Sequence, residues 1–299
     1  MTTPNFLIVG AAKAGTTSLY HYLRQHPDVF MPEALKESFF LSGLSPTQFV
    51  GPGRQYGSRM ITTWEAYQDL FAGSADCPAR GEACVAYLYF TDETIASIRQ
   101  WLGRDVRIII SLRDPVGRAY SNYLHHVGDG IEPLPFEEAV EASGWRRKAG
   151  WWWGFDYLEV GFYYRQVKAY LDAFGAEQVL ILLHGDLEAD VQGTLSRIFR
   201  FLGVEATFVP DVLLRHNVTG LPRSEWIHSI MAGTGRVRNI FKNLLPIQMR
   251  RRLKHLYIQK GLARPPLAPE MRRRLIETYK SDVQRLQALI ERDLSRWLV

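Results

Sequence analysis

An α/β chain built on a parallel sheet, with helices covering both faces, is predicted by three strand–loop–helix units and by the nearly unbroken apolar character of their strands. The first unit is residues 5–10, Asn-Phe-Leu-Ile-Val-Gly, followed by a loop of small residues and then by Thr16-Thr17-Ser18-Leu19-Tyr20-His21-Tyr22-Leu23 at helical spacing. The second is the β-branched run 106–112, which meets Arg113-Asp114-Pro115 and continues into a helix through residues 119–123. The third is residues 178–183, leading to Gly185-Asp186-Leu187 and a helix from about 193 to 202. The last segment, 269–297, spaces Met271, Leu275, Tyr279, Val283, Leu286, Leu289, Ile290 and Leu294 as one face of a long packed helix. No Pro/Gly/Ser-rich linker, internal repeat or low-complexity tract interrupts the chain, so residues 1–299 are read as one domain.

Hydrophobic residues make up 46% of the chain and charged residues 22%, a balance that supports a sizeable core and argues against disorder. The formal charge is +5, from 36 Lys plus Arg against 31 Asp plus Glu. So mild an excess suits an anionic ligand and does not ask for nucleic acid. The positive charge concentrates between Arg236 and Arg274. The first residues lack a basic stretch followed by a signal-like apolar run, and no apolar stretch approaches the ~18 residues of a membrane span, so a cytoplasmic location is expected. Cys77 and Cys84 are too few for a disulfide framework and lack metal-ligand spacing, and are read as reduced thiols.

Ligands of parallel sheets bind outside the carboxyl ends of the strands, which directs attention to residues 10–17 and 111–121. Gly10-Ala11-Ala12-Lys13-Ala14-Gly15-Thr16-Thr17-Ser18 places small residues around one lysine, so backbone N–H groups can close on an anion at a helix N-terminus. It is not a nucleotide-kinase loop of the form G-x-x-x-x-G-K-[ST], because Thr16 follows the second glycine and the lysine stands at 13. A dinucleotide fingerprint is absent as well. In the second loop Arg113 stands where the strand ends, Pro115 suits a first helical turn and Ser121 lies two turns on, so one helix face can present a guanidinium and a hydroxyl.

Two further features admit alternatives. Trp151-Trp152-Trp153, with Tyr157, reads either as a sugar or acyl platform or as a buried packing cluster. Residues 236–255 interleave basic and apolar side chains, including Arg250, Arg251 and Arg252, and read either as a docking face for an acidic partner or an anionic membrane surface, or as a solvated helix face.

Lys13-Ala14-Gly15-Thr16-Thr17 at a strand-to-helix turn resembles the P-loop-like 5′-phosphosulfate loop of sulfotransferases that use 3′-phosphoadenosine-5′-phosphosulfate (PAPS). Arg113-Asp114-Pro115 followed by Ser121 resembles the 3′-phosphate site of that family. Lys36-Glu37-Ser38-Phe39-Phe40 is similar to the Lys-Glu-x-x-Phe-Phe segment of the branch containing heparan sulfate, bacterial and polyketide-synthase sulfotransferases, one residue shorter here. The likeness covers most of the chain, with residues 41–75 and 232–265 outside it. It implies that PAPS is the donor and PAP the product, with no metal, and that Lys13, Ala14, Gly15, Thr16, Thr17, Ser18, Arg113 and Ser121 bind the nucleotide. Residues 217–224 are similar to a loop over the nucleotide in bacterial members, which adds Arg223 as a 3′-phosphate ligand, although the usual Lys-Gly-Arg form is missing. The resemblance also makes Lys13 a stabiliser of the leaving group, Glu37 the general base and His125 a residue of the acceptor site, with His126 a poorer match for the same place. The implied acceptor is a hydroxyl or amine of a glycan, lipid, natural product or carrier-bound molecule. A kinase using the first loop for ATP and a PAPS-binding protein without turnover are the alternatives.

Overall fold

The computed structural model describes residues 2–212, 221–222, 262–263 and 265–299. Arg223 and the basic segment 236–255 lie outside the described residues. Of the loop 217–224 only Leu221–Pro222 is described, paired antiparallel with Leu262–Ala263.

The predicted α/β architecture is present. One sheet contains five parallel strands, β1 (Phe6–Gly10), β2 (Val29–Phe30), β3 (Ala79–Ala83), β4 (Arg107–Leu112) and β5 (Val179–Leu183), in the order β2-β3-β1-β4-β5. Every residue of β1 is buried, as expected of a central strand covered on both faces. Alternate residues feed two cores. Leu7, Val9, Ile108 and Ile110 face one core, and Phe6, Ile8 and Ile109 face the other.

Helices cover both faces. α1 (Thr16–Leu23) follows β1, and α2 (Trp64–Asp69) precedes β3. After β3 come α3 (Ala86–Tyr89) and α4 (Thr91–Trp101), and after β4 come α5 (Pro115–Gly128), α6 (Phe136–Glu141), α7 (Ser143–Lys148) and α8 (Tyr163–Phe174). β5 leads into α9 (His184–Ala189) and α10 (Val191–Leu202). Leu19 and Leu23 of α1 and Leu195, Ile198 and Phe199 of α10 fill the core on the Phe6 side. Ile98 of α4, Val167 and Tyr170 of α8 and the buried face of the C-terminal helix fill the other.

The three predicted strands are β1, β4 and β5, one contiguous half of the sheet. β2 and β3 carry no sequence signal strong enough to announce them. β3 reads Ala-Arg-Gly-Glu-Ala, without a β-branched or aromatic residue, and owes its form to parallel pairing on both sides. Gly81 within it lies against the ring of Phe6 across the ladder, where a Cβ would collide with that ring.

Helix ends follow local chemistry. The Asp114 carboxylate accepts from Val116 N at 3.0 Å and Gly117 N at 3.1 Å, and Pro115 begins α5. Asp190 caps α10, and Gly203, with φ 73°, ends it. The C-terminal helix runs over Pro269–Ile290 rather than to residue 297. Glu291 turns left-handed at φ 51°, and Arg292 then donates to both oxygens of Asp186 at 3.0 Å.

Candidate active site

β1 ends at Gly10, and residues 11–15 form a loop clamped from β4. Ala11 N donates to Ser111 O at 2.6 Å, the Ser111 hydroxyl donates to Ala14 O at 2.6 Å, and Arg113 donates to Lys13 O at 3.1 Å. Lys13 and Gly15 take positive φ, 67° and 85°, so the chain doubles back before α1. No side chain caps α1, and an N-terminus left in that way suits an anion.

The loop borders a cleft of about 920 Å³. Lys13, Gly15, Thr16, Thr17 and Ser18 line its middle, and Arg113, Ser121, Glu37 and His125 line it on either side. Of the described residues expected at the site, only Ala14 does not border it. Ala14 is fully buried and serves through its carbonyl, held by Ser111.

Sheet order divides the cleft. Toward β4 and β5 lie Arg113, Ser121 and the start of α9, with His184, Leu187 and Glu188. Toward β3 and β2 lie Glu37, Phe39 and Val85, closed by Tyr56, Arg59 and Trp152–Gly154. α5 borders both halves, with Ser121 near its start and His125 and His126 beyond, where the Asn122 amide donates to Gly154 O at 2.6 Å. Trp152 and Trp153 are only 6% and 7% exposed, so both pack into the core while they border the cleft. Trp151 leaves that pair and lies under the Arg146 guanidinium, 4.9 Å from its ring centroid.

Glu37 is half-buried and accepts from Lys36 Nζ at 2.7 Å. His125 Nε2 lies 3.7 Å from Asp129, whose carboxylate also takes the Tyr56 hydroxyl at 2.6 Å. Desolvation and the Lys13 cation hold the His125 imidazole below its ordinary value, against the pull of Asp129 and Glu37. At neutral pH it is therefore uncharged and able to accept a hydrogen bond.

The segment carrying Glu37 is anchored from beneath by a carboxylate that sequence reasoning missed. Glu82, on β3 and 1% exposed, accepts from the hydroxyls of Tyr67 and Tyr87, each at 2.7 Å. The Tyr87 hydroxyl also lies 2.9 Å from Ser38 Oγ and accepts from Leu41 N at 3.3 Å. Glu82 thus ties the strand to the turn beside Glu37. His184, Tyr56, Arg59 and Asn122 were missed as well. Only His184 had a usable signal, standing just past the end of a predicted strand.

Burial pushes the Glu82 carboxyl up, against the hydrogen bonds that favour its charged form. The folded state then holds a proton that the unfolded chain has released, so stability contributed by Glu82 is present below its unfolded pKa and is lost as pH rises toward the folded value. Urea unfolding between about pH 4 and 8 should show wild type losing stability relative to Glu82→Gln, which keeps an acceptor for the tyrosines but cannot ionise. A difference that does not change with pH would contradict this.

Residues 4–208 match the model of the Sulfotransferase family. The sulfotransferase of Alicyclobacillus acidocaldarius is 34% identical, with a TM-score of 0.79 over 99% of both chains. Among curated proteins, mouse carbohydrate sulfotransferase 15 is 29% identical over 67% of this chain and 44% of its own length. Human heparan sulfate glucosamine 3-O-sulfotransferase 3B1 is 27% identical over 73% of this chain and 51% of its own length. The chain spans about half the length of these curated relatives. A phosphate-type loop, a strand-end arginine and a facing carboxylate around one cleft agree with a family match over most of the sequence: this chain belongs to the sulfotransferase family.

Proposed function

We propose that the chain transfers a sulfuryl group from PAPS to a hydroxyl or amine acceptor, in the cytoplasm, by in-line displacement with Glu37 as general base. The observation that carries this reading is the meeting of Lys13, Arg113, Ser121 and Glu37 around one cleft, with the phosphate-type loop between the two halves. The uncapped start of α1 and the half-buried Arg113 fit the anionic groups of such a donor. The relatives named for carbohydrate and heparan sulfate support a glycan acceptor, and a natural-product acceptor is the other class considered. Cys77 and Cys84, both free, accord with a reducing compartment.

In this mechanism the acceptor oxygen forms a bond to sulfur while the bond from sulfur to the 5′-phosphate oxygen breaks. Glu37 takes the acceptor proton, and PAP leaves with the electron pair. Lys13 and the loop amides stabilise the charge that grows on the leaving oxygen. Arg113 and Ser121 hold the 3′-phosphate, and His125, neutral, orients the acceptor. Arg223 joins Arg113 in this reading, and residues 236–255 receive an acidic or carrier-borne acceptor or an anionic membrane surface. Both of these lie outside the described residues.

Two outcomes test the proposal. PAP at about 100 times its Kd should stabilise the protein by about 2.7 kcal/mol, whereas ATP and NAD at equal concentration should not. Stabilisation by ATP alone would point to a kinase. Transfer from labelled PAPS to an acceptor panel should then fall by ~100-fold or more in Glu37→Gln, which keeps the side-chain shape but is a far weaker base, with PAP affinity retained. Undiminished turnover would remove Glu37 as the base.

A further inference from the structure

The cleft contains a second histidine that the proposed reaction leaves unused. His126 follows His125 on α5 but is only 3% exposed, its ring 4.4 Å from that of Phe155 and its Nδ1 2.9 Å from the Tyr157 hydroxyl oxygen. Tyr157 has one hydroxyl proton, which it donates to Glu132 Oε2 at 2.8 Å. Both Glu132 oxygens already accept from Arg146, at 2.5 and 2.9 Å, and Oε1 accepts from Leu134 N at 3.1 Å. With its own proton committed, the Tyr157 oxygen can only accept from the imidazole. The proton between the two residues therefore sits on His126 Nδ1.

An imidazole protonated at Nδ1 carries its lone pair on Nε2. No described residue hydrogen-bonds that nitrogen, and the ring borders the cleft beside Trp152 and Gly154. Burial, reinforced by His125, Lys13, Arg146 and Arg118, holds the group well below its ordinary value, so it stays neutral. Nε2 is not sealed off in the core but reaches the cleft, where a donor on a bound ligand can pair with it.

We propose that His126 is a hydrogen-bond acceptor of fixed tautomer in the acceptor half of the cleft, whose Nε2 receives a second O–H or N–H of the acceptor beside the group that is sulfated. The proposal rests on the assignment of the Glu37 side of the cleft to the acceptor. Because Glu37 takes the proton of the reacting group, the partner of Nε2 is a different donor of the acceptor. The site then fits polyols and amino alcohols, and disfavours analogues lacking the second donor by roughly tenfold or more.

The test uses the full-length protein loaded with PAP and labelled with 15N-histidine. The His126 signals, assigned through their bonds to the backbone, should show Nδ1 protonated and Nε2 bare at about pH 7. Tyr157→Phe keeps the ring but removes the hydroxyl, and should move His126 toward the Nε2–H form. Diethyl pyrocarbonate, which reacts with bare imidazole nitrogens, should modify His126 at Nε2 in wild type. Catechol, with two adjacent donors, should shift the Nε2 signal further than phenol. A wild-type Nε2–H tautomer, the same tautomer in Tyr157→Phe, or no modification of His126 would overturn the proposal. Equal shifts with catechol and phenol, zero included, would overturn its two-donor part. None of these readouts needs turnover, so they stay separate from any failure of PAPS-dependent transfer.

Discussion

Ser111 and Arg113 reach sideways from β4 and fix the backbone of the loop between β1 and α1 at Ala11, Lys13 and Ala14. The rest of the site depends on that clamp. Lys13 is held at φ 67°, a region a lysine seldom visits, while its carbonyl is fixed by Arg113. A guanidinium has five N–H donors, and the Lys13 carbonyl engages one of those of Arg113. The lysine and the arginine are thus parts of one rigid unit. Losing the Arg113 side chain removes this brace as well as a charge, whereas truncating Lys13 keeps the carbonyl that Arg113 holds.

The second organising element is α5, whose start is set by Asp114 and Pro115 and whose length carries Ser121, Asn122, His125 and His126 along the cleft. It is locked to the interior by Arg118, a fully buried guanidinium that donates to the Tyr157 carbonyl, while the Tyr157 hydroxyl joins His126 to Glu132. Buried charge of this kind stabilises little by itself, but it specifies one arrangement when every partner is in place. On the opposite wall buried Glu82 takes two tyrosine hydroxyls, and that of Tyr87 couples it to Ser38 in the turn beside Glu37. Both walls of the cleft therefore rest on buried carboxylates whose partners are hydroxyls or a guanidinium.

The parts of the site that were legible in the sequence are those encoded by neighbouring residues. The loop from Gly10 to Ser18 combines small residues, one lysine and a strand-to-helix change within a few positions, and Arg113 to Ser121 repeats that grammar. β1, β4 and β5 were readable because apolar runs mark strands buried on both faces. β3 was not, since Ala-Arg-Gly-Glu-Ala is a strand only by virtue of its neighbours, and Glu82 inside it looked like any solvated glutamate. The network of His126, Tyr157, Glu132 and Arg146 escaped for a similar reason, because its members are separated by loops and meet only in the folded chain. The aromatic cluster was undecided in sequence because exposure, which separates a platform from a core, is a tertiary property. Trp152 and Trp153 prove almost wholly buried.

Charge in the cleft centres on Lys13, which borders its middle and lowers the affinity of both His125 and His126 for a proton. In the proposed reaction such a cation would stabilise negative charge developing on the leaving phosphate more than charge already present in the bound donor. The most direct measurement is therefore the rate of sulfuryl transfer from saturating PAPS by Lys13→Ala, alongside its affinity for PAP. The account predicts a fall in kcat of ~100-fold or more with a much smaller change in PAP affinity. An unchanged kcat would contradict the assignment of residues 10–18 as the phosphosulfate loop.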